Sequence, residues 1–175
     1  MNTANKLTMI RVLLIPAFLA VLYIDFFGSR YVAMVMFVLA AVTDIADGYI
    51  ARRRNQITDF GKLMDPLADK ILVLSAMLWF LEQGEMPAWA VLIVVVREFM
   101  VTGLRLVAVD NGRVIAAAIS GKIKTGVTMV CLTIMFLALP QWLLHVCVAA
   151  ITITTVASGV EYFIKNKDVF NWKRM

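Results

Sequence analysis

The chain has 175 residues, of which 62% are apolar and 17% charged, with a mean hydropathy of +0.84. Soluble domains average about half apolar and a quarter charged, so this balance argues against a water-soluble domain. The net charge of +5, from 17 Lys plus Arg against 12 Asp plus Glu, reads as membrane orientation and attraction to anionic lipid, not as nucleic-acid binding.

A helix needs about 20 residues to cross the hydrocarbon core, so six spans use roughly 120 and leave only short loops and two modest tails. One membrane domain over residues 1–175 is therefore expected. The apolar runs are continuous, as in Val32 to Val42 and Val127 to Leu139, unlike the alternating segments of a transmembrane barrel. The expected fold is all-α: a polytopic membrane protein with six transmembrane helices and a polar cavity on the cytoplasmic side.

The first span is expected near 9–27. It follows Lys6 and is not succeeded by a small-residue cleavage site, so it reads as retained. The second is expected near 31–53 and the third near 62–82. The fourth, near 87–109, opens at Pro87, and the sixth, near 142–164, follows Pro140; proline suits a helix start. Between them the fifth is expected near 118–139. Trp79, Trp89, Trp142 and Trp172 fall near span ends, where an aromatic belt is the ordinary reading. His145 reads as interfacial packing. Cys131 and Cys147 lie inside apolar runs without metal-ligand spacing and read as packing too.

Basic residues divide the loops. Arg30 is the only cation in the first loop, and the connections around Glu82 and Glu85 and around Pro140 have none. The other side collects Lys6 and Arg11, Arg52 to Arg54, Arg113, Lys122 and Lys124, and Lys165, Lys167, Lys173 and Arg174. The positive-inside rule then puts both termini in the cytoplasm.

Charged groups at bilayer depth cost several kcal/mol and normally mark function. Asp44 and Asp47 fall near the cytoplasmic end of the second span, and Asp65 and Asp69 at the start of the third. At about 100° per residue, Asp47 lies roughly 60° from Asp44 and Ala51 about 20° from it, one helical stripe. Gly61, Asp65 and Asp69, four apart, form another. A short loop makes the two helices antiparallel neighbours. Four carboxylates gathered this way repel unless cations are present. Hard divalent ions relieve that repulsion, and a pair of them can clamp a diphosphate during an in-line displacement. Gly48 and Gly61 leave room for a bulky ligand. Pro66 is absorbed without penalty if the third helix starts near Asp65; otherwise it re-aims that side chain.

The segment Asp44-Ile-Ala-Asp47-Gly48-Tyr-Ile-Ala51-Arg52, followed after eight residues by Gly61-Lys-Leu-Met-Asp65-Pro-Leu-Ala-Asp69, resembles the signature of the CDP-alcohol phosphotransferases at every defining position. The resemblance implies transfer of a substituted phosphate from a CDP-linked donor to an alcohol, with release of CMP. It implies that Asp44, Asp47, Asp65 and Asp69 hold two divalent ions, Mg2+ or Mn2+, and that Asp69 is also the general base. Asp47, Gly48, Ala51, Arg52, Gly61 and Asp65 would surround the CDP donor. The opening Asn5-Lys-Leu-Thr8-Met-Ile-Arg11 is similar to that of the bacterial phosphatidylglycerophosphate synthases, which adds Asn5 and Thr8 as donor contacts.

A phosphorylated acceptor needs cations. Arg97 and Arg105 lie eight apart, about 80° round a helix, and Lys122 and Lys124 open the next span; all four are candidate ligands of an acceptor phosphate. Glu98 follows Arg97 in sequence but is not expected on its face. The Arg97-Glu98, Gly103-Leu104-Arg105 and Gly121-Lys-Ile-Lys-Thr125 segments also resemble the branch that uses glycerol 3-phosphate, with CDP-diacylglycerol as donor. Cardiolipin, inositol-phosphate and serine lipid synthesis are the alternatives within the family. A cation-coupled transporter is a distant one, because its carboxylates would be spread through the membrane or repeated. A homodimer in a bacterial plasma membrane is what the resemblance implies.

Overall fold

A computed structural model describes the backbone of residues 3–24, 26–54, 59–110, 112, 115 and 118–167, and the side chains of residues 13–24, 26–43, 67–110, 112, 115 and 118–167. Six helices follow one another: α1 Thr3–Tyr23, α2 Ser29–Arg54, α3 Asp59–Glu82, α4 Ala88–Asp110, α5 Ile119–Met135 and α6 Gln141–Lys165. Among the described residues there is no strand, so the all-α expectation holds.

Local signals account for most boundaries. Pro87 directly precedes α4, and Pro140 is the N-cap of α6; each lacks an N–H that would have no partner in a first turn. Gly84 adopts φ 73° just beyond α3, and the amides of Gly84 and Glu85 close back on the carbonyls of Leu81 and Phe80 at 3.0 and 2.9 Å. That left-handed step uses the last carbonyls of the helix.

Two expected ends are corrected. The first helix stops at Tyr23, not near 27, because Gly28 at φ 88° reverses the chain and returns α2 alongside α1. The fifth stops at Met135, not near 139. Ala138 is left-handed at φ 52°, and Pro140 disfavours helix in the residue before it. Asp59 begins α3, so Pro66 sits inside the helix and not in its first turn.

Packing runs through α1, which touches α2 and α3, and through α5, which lies along α6; α4 leans on α6. Phe18 of α1, Phe37 of α2, Phe80 of α3 and Phe136 just past α5 are fully buried. Phe136 is the hub, with ring centroids 4.7 Å from Phe80, 5.8 Å from Phe37 and 6.0 Å from Phe18. Aromatic rings at these spacings add about 1 kcal/mol per pair beyond burial. Trp79 belongs here as well. It is 7% exposed and stacks on Phe136 at 6.1 Å, so it is a core residue and not a belt residue; the helix turns it inward beside Phe80. Trp89 and Trp142 are exposed, as a belt requires. Cys131 and Cys147 are buried and free.

By length and composition, one helix among the described residues, Gln141–Lys165, is long and apolar enough to cross a membrane; Leu13–Tyr23 and Ser29–Thr43 are shorter apolar stretches. The central run of α4 is interrupted by Arg97, Glu98 and Arg105. Those charges face a cavity.

Candidate active site

The cavity has a volume of about 970 Å³ and is walled by α2 to α6. Its α2 wall is apolar, with Phe37, Val38 and Ala41, and α3 contributes Asp69 and Lys70. Along α4, positions 97 and 98, 101 and 102, and 105 recur at helical spacing and present one face to the cavity. Gly121, Lys122 and Thr125 come from the first turns of α5, and Tyr162 from α6.

Glu98 is the electrostatic centre. Its Oε1 accepts from Lys124 Nζ at 2.9 Å and from Arg97 Nη1 at 2.8 Å, while Lys70 Nζ lies 3.6 Å from Oε2 and donates to Thr102 Oγ1 at 2.7 Å. Three helices thus converge on one carboxylate. The lysine of that pair, Lys124, keeps only 6% of its side chain exposed, a burial that a charged amine tolerates only when matched.

Arg97 and Glu98 were not expected to meet. They do, because Lys124 draws the carboxylate toward α5 and the long guanidinium reaches round to the same oxygen. Arg97 is also confined from two sides. A Cβ on Gly159 of α6 would lie 3.2 Å from its Cγ, and a Cβ on Gly121 would lie 3.6 Å from its Nη2. Its Nε is buried without a hydrogen-bond partner among the described residues.

Arg105 is held differently. Its Nε donates to the Tyr162 hydroxyl at 3.0 Å, and its guanidinium carbon lies 5.6 Å from the ring centroid. Lys122, on α5, lines the same cavity. Neither Arg105 nor Lys122 has a carboxylate partner among the described residues.

The four acceptor candidates, Arg97, Arg105, Lys122 and Lys124, therefore lie around one cavity or against it, two of them on Glu98 and two facing the open space. Asp69 is half-buried on the same cavity wall. Asp44 and Asp47 lie on the C-terminal half of α2 and Gly48, Ala51 and Arg52 follow them there; Gly61 and Asp65 lie on α3 ahead of Asp69. Their side chains, like those of Asn5 and Thr8 on α1, lie outside the described residues. Among the described residues no three carboxylate, thiol or imidazole side chains gather as metal ligands.

Sequence reasoning missed Lys70 and Tyr162. Lys70 follows Asp69 directly and could have been found as another cation on the predicted carboxylate helix. Tyr162 carries no local signal, since only the packing of α6 against α4 brings it to Arg105.

A family model described as CDP-alcohol phosphatidyltransferase matches residues 1–156. A CDP-diacylglycerol--glycerol-3-phosphate 3-phosphatidyltransferase of Bacillus subtilis is 39% identical, with 94% of this chain and 95% of that protein covered. A probable phosphatidylglycerophosphate synthase of Mycobacterium tuberculosis is also 39% identical, covering 92% of this chain and 79% of its own length. A CDP-diacylglycerol--glycerol-3-phosphate 3-phosphatidyltransferase of Rickettsia felis is 37% identical, with 78% and 75% covered.

Proposed function

The chain belongs to the CDP-alcohol phosphatidyltransferase family, and from that membership we propose that it transfers the phosphatidyl group of CDP-diacylglycerol to glycerol 3-phosphate, releasing CMP and phosphatidylglycerol phosphate. The observation that carries this reading is the cavity that Asp69 lines together with Arg105 and Lys122, two cations without a carboxylate partner among the described residues. A general base and an anion subsite in one enclosure suit an alcohol that bears a phosphate.

Asp69 takes the proton of the primary hydroxyl. The alcohol oxygen then attacks the phosphorus of the phosphatidyl group, and the bond to CMP breaks. Arg105 and Lys122 orient the acceptor through its phosphate. No covalent enzyme intermediate is needed. Asp44, Asp47, Asp65 and Asp69 would hold two divalent ions, Mg2+ or Mn2+, since an all-carboxylate oxygen set suits hard cations and half-buried Asp69 opens on the cavity. Such ions, when bound, offset the diphosphate charge and improve CMP as a leaving group. Asn5, Thr8, Gly48, Ala51, Arg52 and Gly61 surround the nucleotide.

The acyl chains stay in the bilayer. Large apolar side chains stand exposed on all six helices away from the cavity lining, among them Leu13, Leu39, Leu78, Phe99, Ile123 and Ile153; lipid suits such a surface and water does not. In this reading all six helices span a bacterial plasma membrane, both termini and the cavity face the cytoplasm, and two copies associate.

The test is CMP release by purified protein in lipid vesicles containing CDP-diacylglycerol. Glycerol 3-phosphate, serine, inositol phosphate and phosphatidylglycerol serve as competing acceptors, with Mg2+, Mn2+ or a chelator. The expected result is metal-dependent release with glycerol 3-phosphate as the preferred acceptor. A better kcat/KM for another acceptor, or release indifferent to chelation, rejects the reading.

A further inference from the structure

We propose that Tyr162 is a positioning residue that sets the Arg105 guanidinium for the acceptor's phosphate; this rests on the cavity being the glycerol 3-phosphate site. The charge distribution inside the cavity leads to it. Arg97 and Lys124 are committed to Glu98, and Lys70 donates to Thr102 beside the same carboxylate. Arg105 of α4 and Lys122 of α5 are left without a carboxylate partner among the described residues, and both line the cavity. They form the positive pole that an incoming anion meets.

An arginine exposed along a cavity wall samples many rotamers, and ordering it on binding costs conformational entropy. Tyr162 removes much of that freedom in advance. Its hydroxyl accepts from Nε at 3.0 Å, which leaves the edge formed by Nη1 and Nη2 as the fork for a phosphate. The ring centroid 5.6 Å from the guanidinium carbon adds a cation–π contact. Because the phenol oxygen accepts from Nε, its own proton is available to a second acceptor in the cavity that it lines.

Tyr162 can serve as a fixed point because it is itself fixed. It is 2% exposed and packs with Val101, Leu104 and Ala108 of α4 in a small apolar cluster. It also lies beyond residues 1–156, the stretch matched by the family model, so the role is read from this tertiary contact.

The experiment is a double-mutant cycle on full-length protein in lipid vesicles, following CMP release while glycerol 3-phosphate and CDP-diacylglycerol are varied in turn. Tyr162→Phe keeps the ring and its packing and removes only the hydroxyl. It is expected to raise the KM for glycerol 3-phosphate about five- to twenty-fold, with kcat and the donor KM within about two-fold of wild type. Arg105→Lys, which has no equivalent of Nε, is expected to raise the same KM, and adding Tyr162→Phe to it should change nothing more.

An unchanged acceptor KM in Tyr162→Phe, beside a raised one in Arg105→Lys, overturns the role of Tyr162 and leaves the proposed reaction standing. A further loss when the two changes are combined, or an equal rise in donor KM, shows that the Tyr162 hydroxyl acts independently of Arg105 and also overturns it. If Arg105→Lys itself leaves the acceptor KM unchanged, the phosphate subsite is elsewhere and the inference falls with it. Failure of the wild type to use glycerol 3-phosphate sinks the reaction as well.

Discussion

Arg30 and Glu85 form a two-point ion pair, Nη1 to Oε1 at 2.7 Å and Nη2 to Oε2 at 2.5 Å. Arg30 sits in the first turn of α2 and Glu85 in the connection from α3 to α4. The same guanidinium donates to the carbonyls of Met135 and Phe136 at 2.6 and 3.1 Å and lies over the rings of Trp79 and Phe80. One side chain thus joins the three poorly basic loops at one end of the bundle and supplies donors to carbonyls at the C-terminal end of α5.

Arg30→Ala removes all of these contacts, whereas Glu85→Gln removes only the charge of one partner. Thermal unfolding in a fixed detergent should therefore show a larger loss for Arg30→Ala, about 3 kcal/mol, than for Glu85→Gln, about 1 kcal/mol. Arg105 and Lys122 sit toward the ends of α4 and α5 that are far from these contacts, so the acceptor KM of either folded variant should stay at the wild-type value. Equal destabilisation would mean that the carbonyl contacts contribute nothing.

Asp69→Asn retains size and hydrogen bonding but cannot accept the hydroxyl proton. CMP release should fall by at least about a hundred-fold with the melting temperature nearly unchanged. Turnover above a tenth of wild type in purified, lipid-reconstituted protein removes Asp69 from the base role.

Glu98 neutralises a buried lysine, so truncating it exposes the cost of that burial. Glu98→Ala should destabilise by about 3 kcal/mol, because Lys124 is left buried and uncompensated. The double change Glu98→Ala with Lys124→Met should recover much of that loss. If the double variant melts no higher than the single one, the pair is not the source of the penalty.

Gly159 gives a steric test. A methyl there meets Arg97 Cγ at 3.2 Å, whereas one at Gly126 on α5 meets nothing within 4 Å. Gly126→Ala should be neutral or stabilising by about 0.5 kcal/mol through helix propensity. Gly159→Ala gains the same propensity and must also shift Arg97, so it should come out less stable than Gly126→Ala by about 1 kcal/mol. The comparison is made by thermal unfolding of both purified variants.

How much of this was legible beforehand depends on how local each signal is. Six helices could be read from the apolar runs because lipid-length stretches, Pro87 and Pro140 act within a few residues of themselves. The aspartates of α2 and α3 could be selected because helical periodicity puts them on stripes without reference to any partner helix. Carboxylate and cation at intended membrane depth were enough to call for a cavity, since neither is stable facing hydrocarbon.

Other features needed the assembled bundle. Trp79 looks like a belt residue from its place near a helix end, and only the arrival of Phe136 from the end of α5 makes it core. Arg97 and Glu98 do not share a face by angle, yet Lys124 on another helix turns the carboxylate so that both cations reach it. Tyr162 meets Arg105 across 57 positions of chain, a distance over which no periodicity carries information. Sequence by itself determined the helices, their charges and the family signature, because those depend on neighbours along the chain. The pairing of those charges was decided by tertiary structure, because a long cation satisfies whichever carboxylate, hydroxyl or carbonyl the packing brings within about 3 Å.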